Sequence, residues 1–417
     1  MRRVIIALCV LAAVACEASP MRLLMARHRA VAAGGVSETA FITTWQTTSS
    51  PQSITLPLRS GQTYNLTVDW GDGSALGVVT VYNDGDATHE YATAGTYTNT
   101  IEGTMASWSF NNGGSKAAFR TVSQWGDVSA GVLGIFAGFY GASGATAFAT
   151  PVPTAWDDVT NLQQAWRGLT SLTAAPAISN LTKVTSLNQT WYDCTGLTAA
   201  PDVSALTNVT YLGAAWNGCN NVNFTNAPDV SALTKVNNLE QAWYGCNKLT
   251  SAPDVSALTL VTTLTETWRG CAVMTNAPDV SALTKVTVMS GAWRACWALT
   301  NAPAVNTLTN VTQMAYAWRD CYNLTSAPDI SNLTKVINIA NAWYDCKELA
   351  TVPALPTAST ALTTTTDAFR LNASMGGTVV ELWDTNNFPN ITAFGNTFTG
   401  CTNLTNYGDI PNNWKGL

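Results

Sequence analysis

Charged residues are scarce in this 417-residue chain: Asp, Glu, Lys and Arg make up 11% of it, against about 25% in typical soluble proteins. Lys and Arg number 20 against 26 Asp and Glu, which gives a net charge of −6 and excludes the basic footprint of a nucleic-acid-binding protein. His28 and His89 are the only histidines, and no Gly-rich phosphate loop or separated carboxylate pair is present. We therefore expect neither catalysis nor a bound cofactor.

Long apolar runs are also absent, since no segment reaches the roughly 20 residues that a membrane-spanning helix needs. Arg2 and Arg3 precede a short apolar run over residues 4–15, which ends in the Ala-Val-Ala of a signal-peptide cleavage site. The amino terminus therefore predicts an export signal over residues 1–15 and a protein that is secreted or held at the cell surface.

Two points about this signal stay open. Cleavage after Ala15 releases the chain, whereas acylation of Cys16 makes it a lipid-anchored lipoprotein, although Ala13 stands where that motif prefers Leu. Translation from Met21 or Met25 instead of Met1 removes the signal altogether.

An internal repeat dominates the rest of the sequence. Tryptophans recur every 25 residues, with one 27-residue step, at Trp166, Trp191, Trp216, Trp243, Trp268, Trp293, Trp318 and Trp343. Prolines recur in step with them, from Pro176 to Pro353. Periods of this length indicate units that stack on one another, because a single unit cannot bury its own apolar side.

Each unit contains an apolar stripe. Leu187, Thr190, Trp191 and Cys194 are spaced i, i+3, i+4 and i+7, which is one face of a short helix. The Leu-Thr-x-Ala-Pro that follows, as in residues 249–253, predicts a short strand ended by Pro. The Trp of every unit should therefore point into the core.

The motif Cys-x-x-Leu-Thr-x-Ala-Pro, followed by Val-Thr-x-Leu-x-x-Ala-Trp-x-x-Cys, resembles the BspA-like leucine-rich repeats of bacterial surface proteins over residues 139–404. That family usually has Phe where this chain has Trp. The resemblance implies a leucine-rich-repeat solenoid that is exported and used in adhesion or recognition, and it carries no catalytic residue and no fixed ligand.

A different unit precedes the repeats. Asp-Trp-Gly-Asp-Gly-Ser at residues 69–74 and His-x-Tyr-Ala-x-Ala-Gly-Thr-Tyr at 89–97 resemble a PKD-like domain, an Ig-like β-sandwich of extracellular proteins. The fold class expected is α+β, a small N-terminal β-sandwich followed by a solenoid of about ten coils, each with a short strand and a short helix. The expected layout is signal 1–15, linker 16–40, sandwich 41–103, connector and cap 104–136, solenoid 137–404 and C-terminal cap 405–417.

Carboxylates and thiols raise the question of metal sites. Calcium favours several loop carboxylates, and the sandwich loops offer four weak candidates, Asp69, Asp72, Asp84 and Asp86. No Cys-x-x-Cys zinc spacing is present, and eight of the ten cysteines fall at the end of the helical stripe. Because helices pack 8–10 Å apart and a disulfide needs Cα atoms within about 7 Å, we expect these eight to be buried free thiols.

The residue after each repeat Trp should lie outside the buried stripe. Arg and Tyr, which are favoured in interfaces, recur there, and the candidate binding residues are Tyr192, Tyr244, Arg269, Arg294, Arg319 and Tyr344. Three arginines on successive coils repel one another unless they are solvated or matched by an acidic partner.

Taken together, these features predict an exported cell-surface adhesion or recognition protein that binds a protein or glycan through an extended surface. The alternative is a structural or receptor-binding component of a phage or surface fibre.

Overall fold

The computed structural model describes residues 37–126 and 136–417. The predicted export signal, Cys16 and the alternative start sites lie outside these residues. Among the helices of the described part, none is long and apolar enough to cross a membrane.

The N-terminal part is built from two sheets. The larger has six strands in the order β4-β3-β6-β1-β7-β8, and the smaller pairs β2 with β5. The strands are β1 Phe41–Thr47, β2 Gln52–Thr55, β3 Tyr64–Asp69, β4 Gly77–Val79, β5 Thr88–Tyr91, β6 Gly95–Met105, β7 Phe119–Gln124 and β8 Ala147–Phe148. Short 3₁₀ turns lie at Gly85–Ala87, Lys116–Ala118 and Thr154–Trp156.

The central strand β1 runs antiparallel to both β6 and β7. Its alternating side chains place Phe41 and Trp45 in the core, where Trp45 meets Phe119 of β7 edge-to-face at 5.3 Å. Strand β7 comes from the segment between sandwich and repeats, and it pairs in parallel with β8 at the first coil. The larger sheet therefore reaches the first coil, where it ends at β8.

The repeats form an array of stacked coils. Parallel bridges of single residues join successive coils, for example Asn161 to Ser186 and Ser186 to Tyr211. The repeat tryptophans stack face to face, with ring centroids 5.5–6.0 Å apart and planes within 12°. Phe369 and Phe398 continue this column at 5.1 and 5.4 Å. Every one of these rings is fully buried, which confirms the inward orientation predicted from the repeat register.

The predicted α+β solenoid, with a strand and a helix in each coil, is wrong. The described residues contain a single four-residue helix, α1 at Asn412–Lys415, and it lies beyond the last coil, after a 3₁₀ turn at Tyr407–Asp409. The stripe around each Trp consists of consecutive tight turns, and the expected strand is reduced to isolated bridges.

Backbone conformation explains why no helix forms. The residues two before and two after each column aromatic have positive φ in every coil, as at Gln189 (53°) and Asp193 (55°), and a right-handed helix cannot pass through them. Alternate amides from Leu187 to Asp193 donate to carbonyls of the next coil at 2.7–3.0 Å. Between them, the amides of Thr190 and Tyr192 close i→i−3 turns. A helix needs every amide for its own i→i−4 bonds.

The longer 27-residue unit keeps its core position. The two extra residues lie between Cys219 and Phe224, and Val222 is exposed there while Phe224 is fully buried. Phe224 takes the place that Leu197 and Leu249 hold in the flanking coils, so the two extra residues bulge at the surface.

Candidate binding face

The six predicted binding residues line one side of the array and belong to a longer row. The row holds Tyr140, which follows Phe139 on the coil before Trp166, and the residue after each column aromatic from Trp166 to Phe369. We call it the Arg–Tyr face: Tyr140, Arg167, Tyr192, Asn217, Tyr244, Arg269, Arg294, Arg319, Tyr344 and Arg370. The fixed turn around each Trp places these residues in register from coil to coil. Most of them are half-buried rather than fully solvated, because neighbouring coils pack their side chains against one another.

Cation–π contacts join the members of this face. The Arg167 guanidinium lies 4.8 Å from the Tyr140 ring centroid and 4.4 Å from that of Tyr192. Arg269 lies 5.0 Å from Tyr244, and Arg319 lies 4.5 Å from Tyr344. Such contacts hold the long arginine side chains in place, so the face is ordered before any partner arrives.

Carboxylates on the same face pair with the three successive arginines. Arg269 forms an ion pair with Glu266, while the Nε atoms of Arg294 and Arg319 lie 3.9 and 3.4 Å from Asp320 Oδ2. Burial lowers the pKa of Arg294, and the neighbouring charges of Arg269 and Arg319 lower it further. Glu266 and Asp320 therefore offset, within the chain, the repulsion that the sequence predicts between these arginines.

Sequence reasoning missed three residues that contact the arginines of this face. Glu266 and Tyr316 lie two residues before a column Trp, and Asp320 lies two residues after one. Tyr316 contacts both Arg294 and Arg319, at 5.5 and 5.7 Å, and is 37% exposed. For Asp320 the sequence did hold a signal. Gly or Asp recurs two residues after most of the repeat tryptophans, and this recurrence is typical of a backbone position with positive φ.

Each of the four candidate calcium ligands accepts a hydrogen bond within the N-terminal part of the chain. Asp69 Oδ1 accepts from the Gly71 amide at 2.9 Å, and Asp86 Oδ2 accepts from the Val78 amide at 2.8 Å. Asp84 caps the 3₁₀ turn that follows it. In residues 37–126 and 136–417 no cluster of three or more His, Cys, Asp or Glu side chains forms a metal site.

Asp72 is hydrogen-bonded to His89, which belongs to an aromatic cluster. Its Oδ2 lies 2.7 Å from His89 Nε2, and the His89 ring stacks on Trp70 at 5.1 Å. Burial acts to raise the pKa of Asp72, but hydrogen bonds from Ser74 and His89 together lower it to about 2. The carboxylate is therefore held in its charged form as a structural group.

The column of aspartates after the repeat prolines is also structural. In each case Asp Oδ1 accepts from the amide of the Ser two residues later, at 2.8–2.9 Å. These bonds from Ser lower the pKa of the carboxylates, which are Asp202, Asp229, Asp254, Asp279 and Asp329. Such turns are what Asp forms with its own backbone, so the column does not indicate an ion ladder.

Comparisons with known proteins add little. No protein-family model matches this chain. No curated protein matches it. Among solved structures, the chain is similar to a leucine-rich repeat protein from Bacteroides ovatus, over 83% of this chain and 93% of that chain, with 12% identity and a TM-score of 0.38. A TM-score of this size does not establish a shared fold.

Proposed function

We propose that this chain is a recognition protein that binds a macromolecular partner along its Arg–Tyr face. The observation that carries this proposal is the continuous row of ordered arginine and tyrosine side chains across successive coils. Arg and Tyr dominate the residues that contribute most to protein interfaces. A face already held by cation–π contacts loses little side-chain entropy on binding.

The charge balance of the face bears on the kind of partner. Glu266 and Asp320 lie among Arg269, Arg294 and Arg319, so the cations do not need an acidic partner to neutralise them. This removes the premise of the acidic partner that the sequence suggested. A protein surface with mixed charges and exposed aromatic or polar groups fits such a face best.

Export to the cell surface and the absence of catalysis belong to the same proposal. The support for export is the Arg-Arg start, the short apolar run and the Ala-x-Ala site. Mass spectrometry of the mature protein tests it: cleavage after Ala15 or acylated Cys16 supports a surface protein. A chain that begins at Met21 or Met25 contradicts export and favours the fibre component.

Binding is tested by screening the protein against arrays of surface proteins and glycans. A variant with Arg269, Arg294 and Arg319 all changed to Ala should lose the partner that the wild type selects. The matched control changes Lys235, Lys285 and Lys335 to Ala, which removes the same charge from exposed positions of another row. Equal loss in both variants would indicate a general charge effect and contradict the proposed face.

A further inference from the structure

A group of exposed apolar side chains interrupts the polar surface of the N-terminal part. Val78 lies on the outer face of the edge strand β4, opposite in direction to the buried Val79, and is 51% exposed. Just after β4 a turn leaves Val81 and Tyr82 50% and 44% exposed. We call this surface the apolar patch, and it consists of Leu76, Val78, Val81 and Tyr82. Apolar groups exposed together in this way often mark binding sites.

The patch is not a free strand edge. The Val78 amide donates to Asp86 Oδ2 at 2.8 Å. The Thr80 amide donates to Asp84 Oδ2 at 3.1 Å. The amides that an added strand needs at this edge are therefore already used, and an occupant of the patch must bind through its side chains instead.

The surroundings of the patch are acidic. Residues 60–115 contain six carboxylates and no Lys or Arg; the six are Asp69, Asp72, Asp84, Asp86, Glu90 and Glu102. Hydrogen bonds from the backbone amides of Thr80 and Asp86 lower the pKa of Asp84, so this carboxylate is charged at neutral pH. No Lys or Arg of the described part of the chain forms an ion pair with any of the six. This surface therefore favours an occupant that carries both apolar and positively charged side chains.

Such an occupant is present in the chain itself, at residues 21–31. The segment reads Met-Arg-Leu-Leu-Met-Ala-Arg-His-Arg-Ala-Val, and no Asp or Glu occurs from residue 18 to residue 36. Its arginines flank the apolar residues 23–25 on both sides, at Arg22, Arg27 and Arg29. Carboxylates flank the apolar patch in the same manner, before Leu76 and after Tyr82. The two stretches are therefore complementary in both charge and apolar character.

The segment is long enough to reach the patch. The described residues begin at Ser37, whose carbonyl accepts from Gln124 Nε2 of β7 at 2.8 Å. The sheet order places β4 four strands away from β7, which is about 19 Å at about 4.8 Å per strand. The ten residues that lead from Arg27 to Ser37 span up to about 33 Å when extended.

We propose that residues 21–31 dock on the apolar patch, with their apolar side chains against Val78 and Tyr82 and their arginines beside the flanking carboxylates. Docking removes the patch from water, which is favourable. If Cys16 is acylated, docking leaves only residues 16–20 between the lipid anchor and this surface, and so holds the sheet close to the membrane. The contact does not depend on the Arg–Tyr face being a binding surface.

Photo-crosslinking of the full chain tests this contact. Tyr82→p-benzoylphenylalanine places a photoreactive ring in the patch, and irradiation should link it within the same chain to residues 21–31, as peptide mass spectrometry will identify. Changing Arg22, Arg27 and Arg29 together to Glu should lower the yield about tenfold, because the charges then repel. Changing the same three to Lys should retain most of the yield. The yield should also fall as the salt concentration rises.

A matched control uses a second exposed position. Val222→p-benzoylphenylalanine, at a side chain that is 69% exposed in the repeats, should not link to residues 21–31. Circular dichroism of the arginine variants should match that of the wild type, because no described residue is changed in them. The proposal is contradicted if the ring at position 82 forms no link to residues 21–31 of its own chain, if it joins two chains into a dimer instead, or if the Glu variant links as well as the wild type.

Discussion

The thiol of Cys194 donates a hydrogen bond to the main-chain carbonyl of Trp166 in the preceding coil, at 3.0 Å. The same bond, between the thiol of one coil and the Trp or Phe carbonyl of the coil before it, recurs at Cys219, Cys246, Cys271, Cys296, Cys321, Cys346 and Cys401. Six of these eight carbonyls also accept from a turn amide of their own coil, as Trp191 does from Cys194. The cysteines therefore link neighbouring coils through hydrogen bonds from thiol to backbone carbonyl, and not through disulfides.

The thiols are predicted to be unreactive in the folded protein. All eight are free and buried, and burial raises the pKa of Cys194 to about 12, so the nucleophilic thiolate is almost absent at neutral pH. Labelling with a thiol reagent should give almost no signal before denaturation and eight labelled repeat cysteines after it. Recovery of pairs that resist labelling in denaturant would show disulfides and contradict this account.

The tryptophan column is predicted to carry much of the array's stability. Trp243→Ala should lower the free energy of unfolding by about 3–5 kcal/mol, the usual cost of deleting a buried aromatic. Trp243→Phe should cost clearly less, because it keeps a stacked ring and removes an indole N–H that is buried without a partner. Denaturant unfolding of the three proteins measures both values, and an unchanged midpoint for the Ala variant would mean that the ring is not in the core.

Backbone strain gives a reciprocal pair of substitutions. Ala295 has φ of 58° where the equivalent Gly270 has φ of 76°, and left-handed backbone costs a residue with a Cβ about 1–2 kcal/mol. Ala295→Gly should stabilise the protein by up to about 1 kcal/mol, reduced by the greater freedom of Gly in the unfolded chain. Gly270→Ala should destabilise it although a Cβ there meets nothing closer than 3.6 Å. Opposite signs in thermal unfolding support this assignment, and equal signs contradict it.

The Asp72–His89 pair predicts a pH dependence. The pKa of Asp72 is lowered in the folded protein to about 2 from its ordinary value of 3.8. The carboxylate therefore contributes stability above about pH 4, and this contribution is lost as the pH falls toward 2. Asp72→Asn should be less stable than the wild type at neutral pH, and the difference should shrink in acid. Unfolding curves at pH 2, 3, 4 and 7 measure this, and a constant difference would rule out the pair as its cause.

The sequence predicts which side chains are buried better than it predicts the conformation of the backbone. Trp243 and Cys246 are buried as their register requires, because a 25-residue period constrains which side must face the neighbouring coil. The helix prediction failed because Leu187, Trp191 and Cys194 have the same spacing in consecutive turns as in a helix. The signal that separates consecutive turns from a helix is a glycine two residues after the Trp, where φ is positive, as at Gly168, Gly218, Gly245 and Gly270.

The sequence predicted the row of arginines but not the charges that lie beside it. Arg269, Arg294 and Arg319 were recognisable from their shared position in the repeat. The carboxylates that pair with them were not recognisable. Arg294 pairs with Asp320 on the next coil, and such a contact depends on the distance between coils, which cannot be read from the sequence of one repeat.

The most direct test of the central claim is hydroxyl-radical footprinting of the protein with and without the partner selected on the array. If the Arg–Tyr face binds, oxidation of Tyr192, Tyr244, Tyr316 and Tyr344 should fall together in the complex, because the contact spreads over successive coils. Oxidation of Tyr82, 44% exposed in a turn of the N-terminal part, should stay unchanged. If the oxidation of these four tyrosines is unaltered in a saturated complex, the partner binds elsewhere and the proposed function is contradicted.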